Sequence, residues 1–119
     1  MIEFEKVLGA FSLLADIDEA TARKNEPLVK LAIAEIGVRL KESACVAKNH
    51  DRICHACAAT AYYKYTVVTA ANERDFTVGD IKFSAKAVSN LALAKQLRDD
   101  AVGSIADLLE PTSFAFVQV

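Results

Sequence analysis

Three side chains able to act as metal ligands or nucleophiles recur at helical spacing in this sequence: His50, Cys54 and Cys57 stand at i, i+4 and i+7. On one helix they would share a face and offer an imidazole and two thiols to a borderline metal such as zinc. Structural zinc asks for four tetrahedral ligands, usually from two separated pairs, and the one further cysteine, Cys45, lies across a polar break at Asn49. The reading preferred on sequence grounds makes Cys54 and Cys57 small core residues turned towards another helix, with the metal site kept as the competitor. Cys54-His55-Ala56-Cys57 is not the haem-attachment order, in which histidine follows the second cysteine. A catalytic Cys–His pair needs partners brought together across a fold, whereas both histidines here share the cysteines' own segment.

Other motifs are weaker. Gly9, Gly37, Gly79 and Gly103 are isolated, so no phosphate-cradling loop is present. Asp16, Asp18 and Glu19 lack the glycine and distal glutamate of a calcium loop and read as residues that cap and complement a helix N-terminus. Tyr62, Tyr63 and Tyr65 point in different directions on a helix and suit half-buried packing better than base stacking. Arg23-Lys24 and Lys82 with Lys86 read as solvated faces. Fourteen Lys plus Arg against sixteen Asp plus Glu give a net charge of −2, which argues against a dedicated binder of nucleic-acid phosphates. No nucleophile, base and orienting group form a recognisable set, so neither an enzyme nor a cofactor is expected.

The elements that must position these residues follow from length and periodicity. A chain of 119 residues with 21 alanines, two prolines and four glycines favours one helical domain over residues 1–119. Three cysteines are too few and too odd in number for a disulfide framework. Met1 to Lys6 lacks the basic and apolar regions of an export signal, and charged residues interrupt every candidate membrane span, so a soluble protein is expected.

Phe4, Val7, Leu8, Phe11 and Leu14 give a short amphipathic helix. Asp16 marks a break, and Asn25-Glu26-Pro27 starts a second helix whose apolar seam is Val29, Ile33, Ile36 and Leu40. A third runs from Asn49-His50-Asp51 to about Asn72, with Ile53, Cys54, Cys57, Ala61, Tyr65 and Val68 on one face. From Phe76 the period becomes two, and Val78 and Ile81 flank Gly79-Asp80 as a hairpin near 76–84. A fourth helix is predicted from Ala85 to Leu109, stopped by Pro111, with Leu91, Ala94, Leu97, Ala101, Ile105 and Leu108 on one face. Residues 114–119 read as an extended apolar segment suited to docking on a sheet edge of another chain. The expected architecture is mainly α: a bundle of about four helices, a small β-hairpin and an extended C-terminal segment. Ile33, Ile36, Leu40, Leu91, Leu97 and Ile105 are its expected core.

The order of elements resembles the head-completion, or head–tail connector, proteins of tailed bacteriophages. The resemblance covers about 27–119. It is carried by Ala58-Ala59-Thr60-Ala61-Tyr62-Tyr63, by Phe76-Thr77-Val78-Gly79-Asp80-Ile81-Lys82-Phe83-Ser84, by Ala106-Asp107-Leu108-Leu109 and by Phe114-Ala115-Phe116. It implies a structural subunit that forms a ring of twelve or thirteen copies between portal protein and tail or stopper protein. Such a ring extends the channel for double-stranded DNA as passing cargo and sits in the virion neck, reached from the host cytoplasm. On this reading Val78, Gly79, Asp80, Ile81, Phe114, Phe116 and Val117 are interaction residues. The His50–Cys57 group is foreign to the pattern. The alternatives are a small helical metal- or redox-responsive protein and a generic protein-interaction module.

Overall fold

A computed structural model describes residues 2–72, 75–77, 80–82 and 85–110, and the structural statements below concern those residues. The protein is mainly helical: α1 (Phe4–Ala15), α2 (Glu19–Lys24), α3 (Glu26–Gly37), α4 (His50–Asn72) and α5 (Ala85–Gly103), followed by a 3-10 turn, Ala106–Leu108.

Local sequence explains most of the boundaries. Asp16 ends α1 in the left-handed region (φ 56°), a conformation that aspartate tolerates better than most side chains. The Ile17 amide donates back to the Ser12 carbonyl, closing the helix end. Asp18 then caps α2, accepting from the Thr21 amide at 2.8 Å. This six-residue helix is absent from the sequence expectation, because only Ala22 of it is buried and so short a segment shows no period. Pro27 sits in the first turn of α3, as expected, but Asn25 does not cap that helix with its side chain. Its amide donates instead to the Thr21 carbonyl.

Helix α4 is the hub, packed by α1, α3 and α5. Ile53, Cys54 and every residue from Ala56 to Ala61 are buried, so this stretch is covered on all sides. Alanine and cysteine allow neighbouring helices to come close around it, and the one polar member, Thr60, donates its hydroxyl to the Ala56 carbonyl at 2.8 Å. Phe11, Val29, Ile36 and Ile105 complete the core. Full burial of each such large side chain is worth roughly 1.5–3 kcal/mol.

Three core expectations need correction. Ile36 and Ile105 are buried, and Ile33 and Leu40 pack partly buried against the core, but Leu91 and Leu97 are half-buried and lie outside it. Val68 is 44% exposed rather than part of the packed face of its helix. The second helix stops at Gly37, short of its expected seam residue Leu40, and the last at Gly103, not at Leu109. Leu40 and Leu109 instead form an isolated antiparallel bridge. There the Lys41 amide donates to the Leu108 carbonyl and the Glu110 amide to the Arg39 carbonyl, at 2.9 and 2.6 Å. Here two segments about seventy residues apart in the one chain pair with each other in place of continuing their helices.

Between α4 and α5 the described chain comprises only Asp75–Thr77 and Asp80–Lys82. Val78, Gly79, Phe83 and Ser84 of the expected hairpin, and Phe114, Phe116 and Val117 of the expected tail, lie outside the described residues. Among the described residues no helix is long and apolar enough to cross a membrane.

Candidate functional site

The chemical group singled out by sequence lies in the first two turns of α4. The Glu3 amide donates to His50 Nε2 at 3.3 Å, which makes that nitrogen an acceptor and leaves the ring proton on Nδ1. Cys54 Sγ lies 3.6 Å from the same Nε2. Cys54 is 3% exposed and Cys57 fully buried. Burial raises the Cys54 thiol above its ordinary range and pushes Cys57 up to about 12. Protonated thiols are weak nucleophiles and weak metal ligands. Among the described residues no three His, Cys, Asp or Glu side chains are arranged to hold a metal ion. His55 and Cys45 are both exposed and stand apart from the buried pair.

The tyrosines divide in the same structural way. Tyr65 meets the Phe11 ring edge-on, with centroids 5.6 Å apart and planes at 84°. Tyr63 instead carries the Arg98 guanidinium over its face at 4.5 Å. Their rings therefore serve different helix contacts and form no common stacking platform.

Two features remain that sequence periodicity did not single out. The first is an arm. Tyr65 is the last α4 side chain packed on the main core, and Ala101 is the first on α5. Arg52 of α4 bonds to Asp107 just past α5, and Tyr63 meets Arg98, so the two helices run antiparallel. Their continuation away from the core, α4 past Tyr65 and α5 before Arg98, retains two fully or nearly buried alanines, Ala70 and Ala94. On its surface Val67, Val68 and Leu93 are 41%, 44% and 55% exposed.

The second feature is a cleft of about 740 Å³ where α3, α4, the end of α5 and the 3-10 turn meet. Ile36, Val102 and Leu109 contribute its apolar lining, while Arg39, Lys41 and Arg98 contribute cations. Glu35 of the same cleft pairs with Lys64 at 2.9 Å, and Asp99 pairs with Lys95 and Arg98. Arg39 Nε is buried with no hydrogen-bond partner among the described residues. Neither arginine stands out in the sequence, where no local signal separates it from a solvated helix residue. Comparison with family models, with curated proteins and with solved structures returns no match for this chain.

Proposed function

We propose that this chain is a structural, non-enzymatic assembly subunit of a phage or prophage neck, forming a ring between portal and tail that completes the head after DNA packaging. The observation that carries the reading is the α4–α5 arm, which leaves the hydrophobic core and exposes Val67, Val68 and Leu93. A two-helix extension sealed by small residues has little hydrophobic stabilisation of its own and gains most when a second surface covers it. Ring formation needs two different surfaces per subunit. The arm supplies one, and the α1–α2 side, where Leu13 is 84% exposed beside Leu8 and Ala22, supplies a candidate for the other.

The hairpin belongs to the same proposal. The antiparallel register that sets Phe76 against Ile81 and Thr77 against Asp80 suits a hairpin at the arm's tip. There it meets a neighbouring subunit or the channel. The net charge of −2 suits a channel wall along which a duplex slides, because few phosphates are neutralised by cations. The segment 114–119 docks on the portal or on a neighbour as an added strand.

The deciding experiment is co-sedimentation of the purified chain with portal-containing, DNA-filled capsids, followed by electron microscopy of the bound particles. A ring at the portal vertex is expected, and Val68→Glu combined with Leu93→Glu should abolish it while leaving helical content unchanged. No binding by the wild-type chain, or undiminished binding by the double variant, refutes the arm as the assembly surface.

A further inference from the structure

Helix α3 buries Val29, Ala32 and Ile36 and carries an apolar stripe on its opposite side. Pro27, Leu31 and Ala34, with the cap residue Val38, stand at i, i+4, i+7 and i+11 and are all exposed, Leu31 by 58% and Val38 by 80%. That spacing sets them in one line along the helix. Single surface leucines need no explanation, but an aligned row of apolar side chains is a surface that gains by being covered. The charges on either side of it are already engaged, Lys30 by Glu26 and Glu35 by Lys64. The stripe therefore calls for an uncharged, apolar occupant.

We propose that the chain's own residues 111–119 cover this stripe in the unassembled subunit. The place where the described chain ends supplies the reason. Leu109 is already extended (φ −101°, ψ 147°) and pairs antiparallel with Leu40, while the Glu110 amide donates to the Arg39 carbonyl. Continued by one step, that register sets position 111 beside Val38 and directs the chain back along α3. The helix rises about 10 Å from Leu31 to Val38 and three extended residues span about 10 Å, so Phe114 comes level with Leu31. Phe116 shares the face of Phe114 in an extended chain and, by the same measure, comes level with Pro27. Pro111-Thr112-Ser113-Phe114-Ala115-Phe116-Val117-Gln118-Val119 holds no charged side chain, which matches the stripe. The neighbouring cleft, with Arg39, Lys41 and Arg98 facing Glu35, Asp99 and Glu110 in its lining, matches an uncharged segment less well. A second copy's stripe is the rival occupant, but a segment tethered beside Val38 has the higher effective concentration. Under the neck reading the segment leaves α3 when it joins the portal or a neighbour, so this inference concerns the free subunit and goes beyond that assignment.

The test is limited chymotrypsin digestion of the full chain, with cleavage after Phe114 and Phe116 followed by mass spectrometry. Leu31→Glu combined with Val38→Glu alters neither cleavage site, and should speed cleavage there at least about tenfold, because proteolysis tracks the undocked population. Helical content should be unchanged, since both substituted positions are exposed. In the wild-type chain, nuclear Overhauser contacts between the Leu31 methyl groups and the Phe114 ring should be present and should persist on dilution. Equal cleavage rates in the two chains, absence of those contacts, or protection that falls on dilution would each overturn the inference, the last by giving the stripe to a second copy. Protection without capsid binding would leave it standing and remove the neck reading alone, and capsid binding without protection would do the reverse.

Discussion

The Arg98 guanidinium lies 4.5 Å from the centre of the Tyr63 ring, joining α5 to α4 near the point where the two helices leave the core. Arg98 is only partly exposed and also pairs with Asp99, so its guanidinium is held in place rather than free to swing. A cation over an aromatic face at this degree of exposure contributes about 0.5–1 kcal/mol. A double-mutant cycle of Tyr63→Leu and Arg98→Met in urea should return a coupling of that size. A coupling indistinguishable from zero would show that the stacking adds nothing to the helix pair.

Leu97 and Ile105 provide a contrast within the last helical segment. Both fit the same apolar period, but Ile105 is fully buried in the core and Leu97 is half-buried outside it. Ile105→Ala should cost about 2–5 kcal/mol through lost transfer energy and the cavity left behind. Leu97→Ala should cost less than about 1 kcal/mol in the isolated subunit, because solvent or a side-chain shift fills the space. Equal losses for the two variants in chemical denaturation would place Leu97 in the core after all.

That contrast marks how far the fold was legible. Period and composition located α1, α3, α4 and α5 and the burial of Ile36, Cys57 and Ile105, since these residues sit where a facing helix covers the apolar stripe. Period names a face but not whether anything covers it, which is why Leu91, Leu97 and Val68 were misplaced. Arg39 was unreadable for a different reason: its surroundings depend on Leu40 pairing with Leu109, a contact with no local signal. The His50, Cys54 and Cys57 face was legible as geometry, but the burial that keeps its thiols protonated emerges only from the packing of α1 and α5 around α4.

Stability should be lost on the acid side. Arg23 holds Glu5 below its ordinary value through a hydrogen bond, the Thr21 hydroxyl and amide do so for Asp18, Lys6 for Asp51, and Arg98 for Asp99. A carboxylate whose pKa is lowered on folding contributes stability above its unfolded value, and that contribution disappears as pH falls through the folded value. The melting temperature should therefore hold between about pH 5 and 9 and fall below about pH 4. All four groups are exposed, so 1 M salt should flatten the acid limb. A melting temperature that drops already between pH 7 and 5 would point to another titrating group.

Thiol reactivity should separate the cysteines. Cys45 is exposed, while Cys54 and Cys57 are buried, with burial pushing the Cys57 thiol up to about 12. Iodoacetamide attacks only the accessible thiolate. At about pH 8 the native protein should lose one thiol quickly, mapped by mass spectrometry to Cys45, and the other two only in concentrated guanidinium. Fast native labelling of Cys54 or Cys57 would show that the His50 end of α4 opens readily, and would revive a redox or metal role for that face.

The arm should behave as a cooperative unit separate from the core. Ile53, Cys54 and Ala56 to Ala61 are buried where α1, α3 and α5 pack on α4, whereas the chain past Tyr65 and before Arg98 contributes nothing to the main core cluster. Segments with few buried apolar contacts open at lower free energy than the global unfolding event. Amide hydrogen exchange should therefore be fastest within the arm, at 66–72 and 89–96, and slowest at 54–61. Ala94 is fully buried outside the main core, so Ala94→Leu forces extra volume into the arm at a cost of roughly 1–3 kcal/mol. That cost should accelerate exchange in the arm alone and leave 54–61 protected as in the wild type. Uniform acceleration across both regions would mean that arm and core unfold together, and the arm would then be part of one rigid bundle rather than an extension waiting for a neighbouring surface.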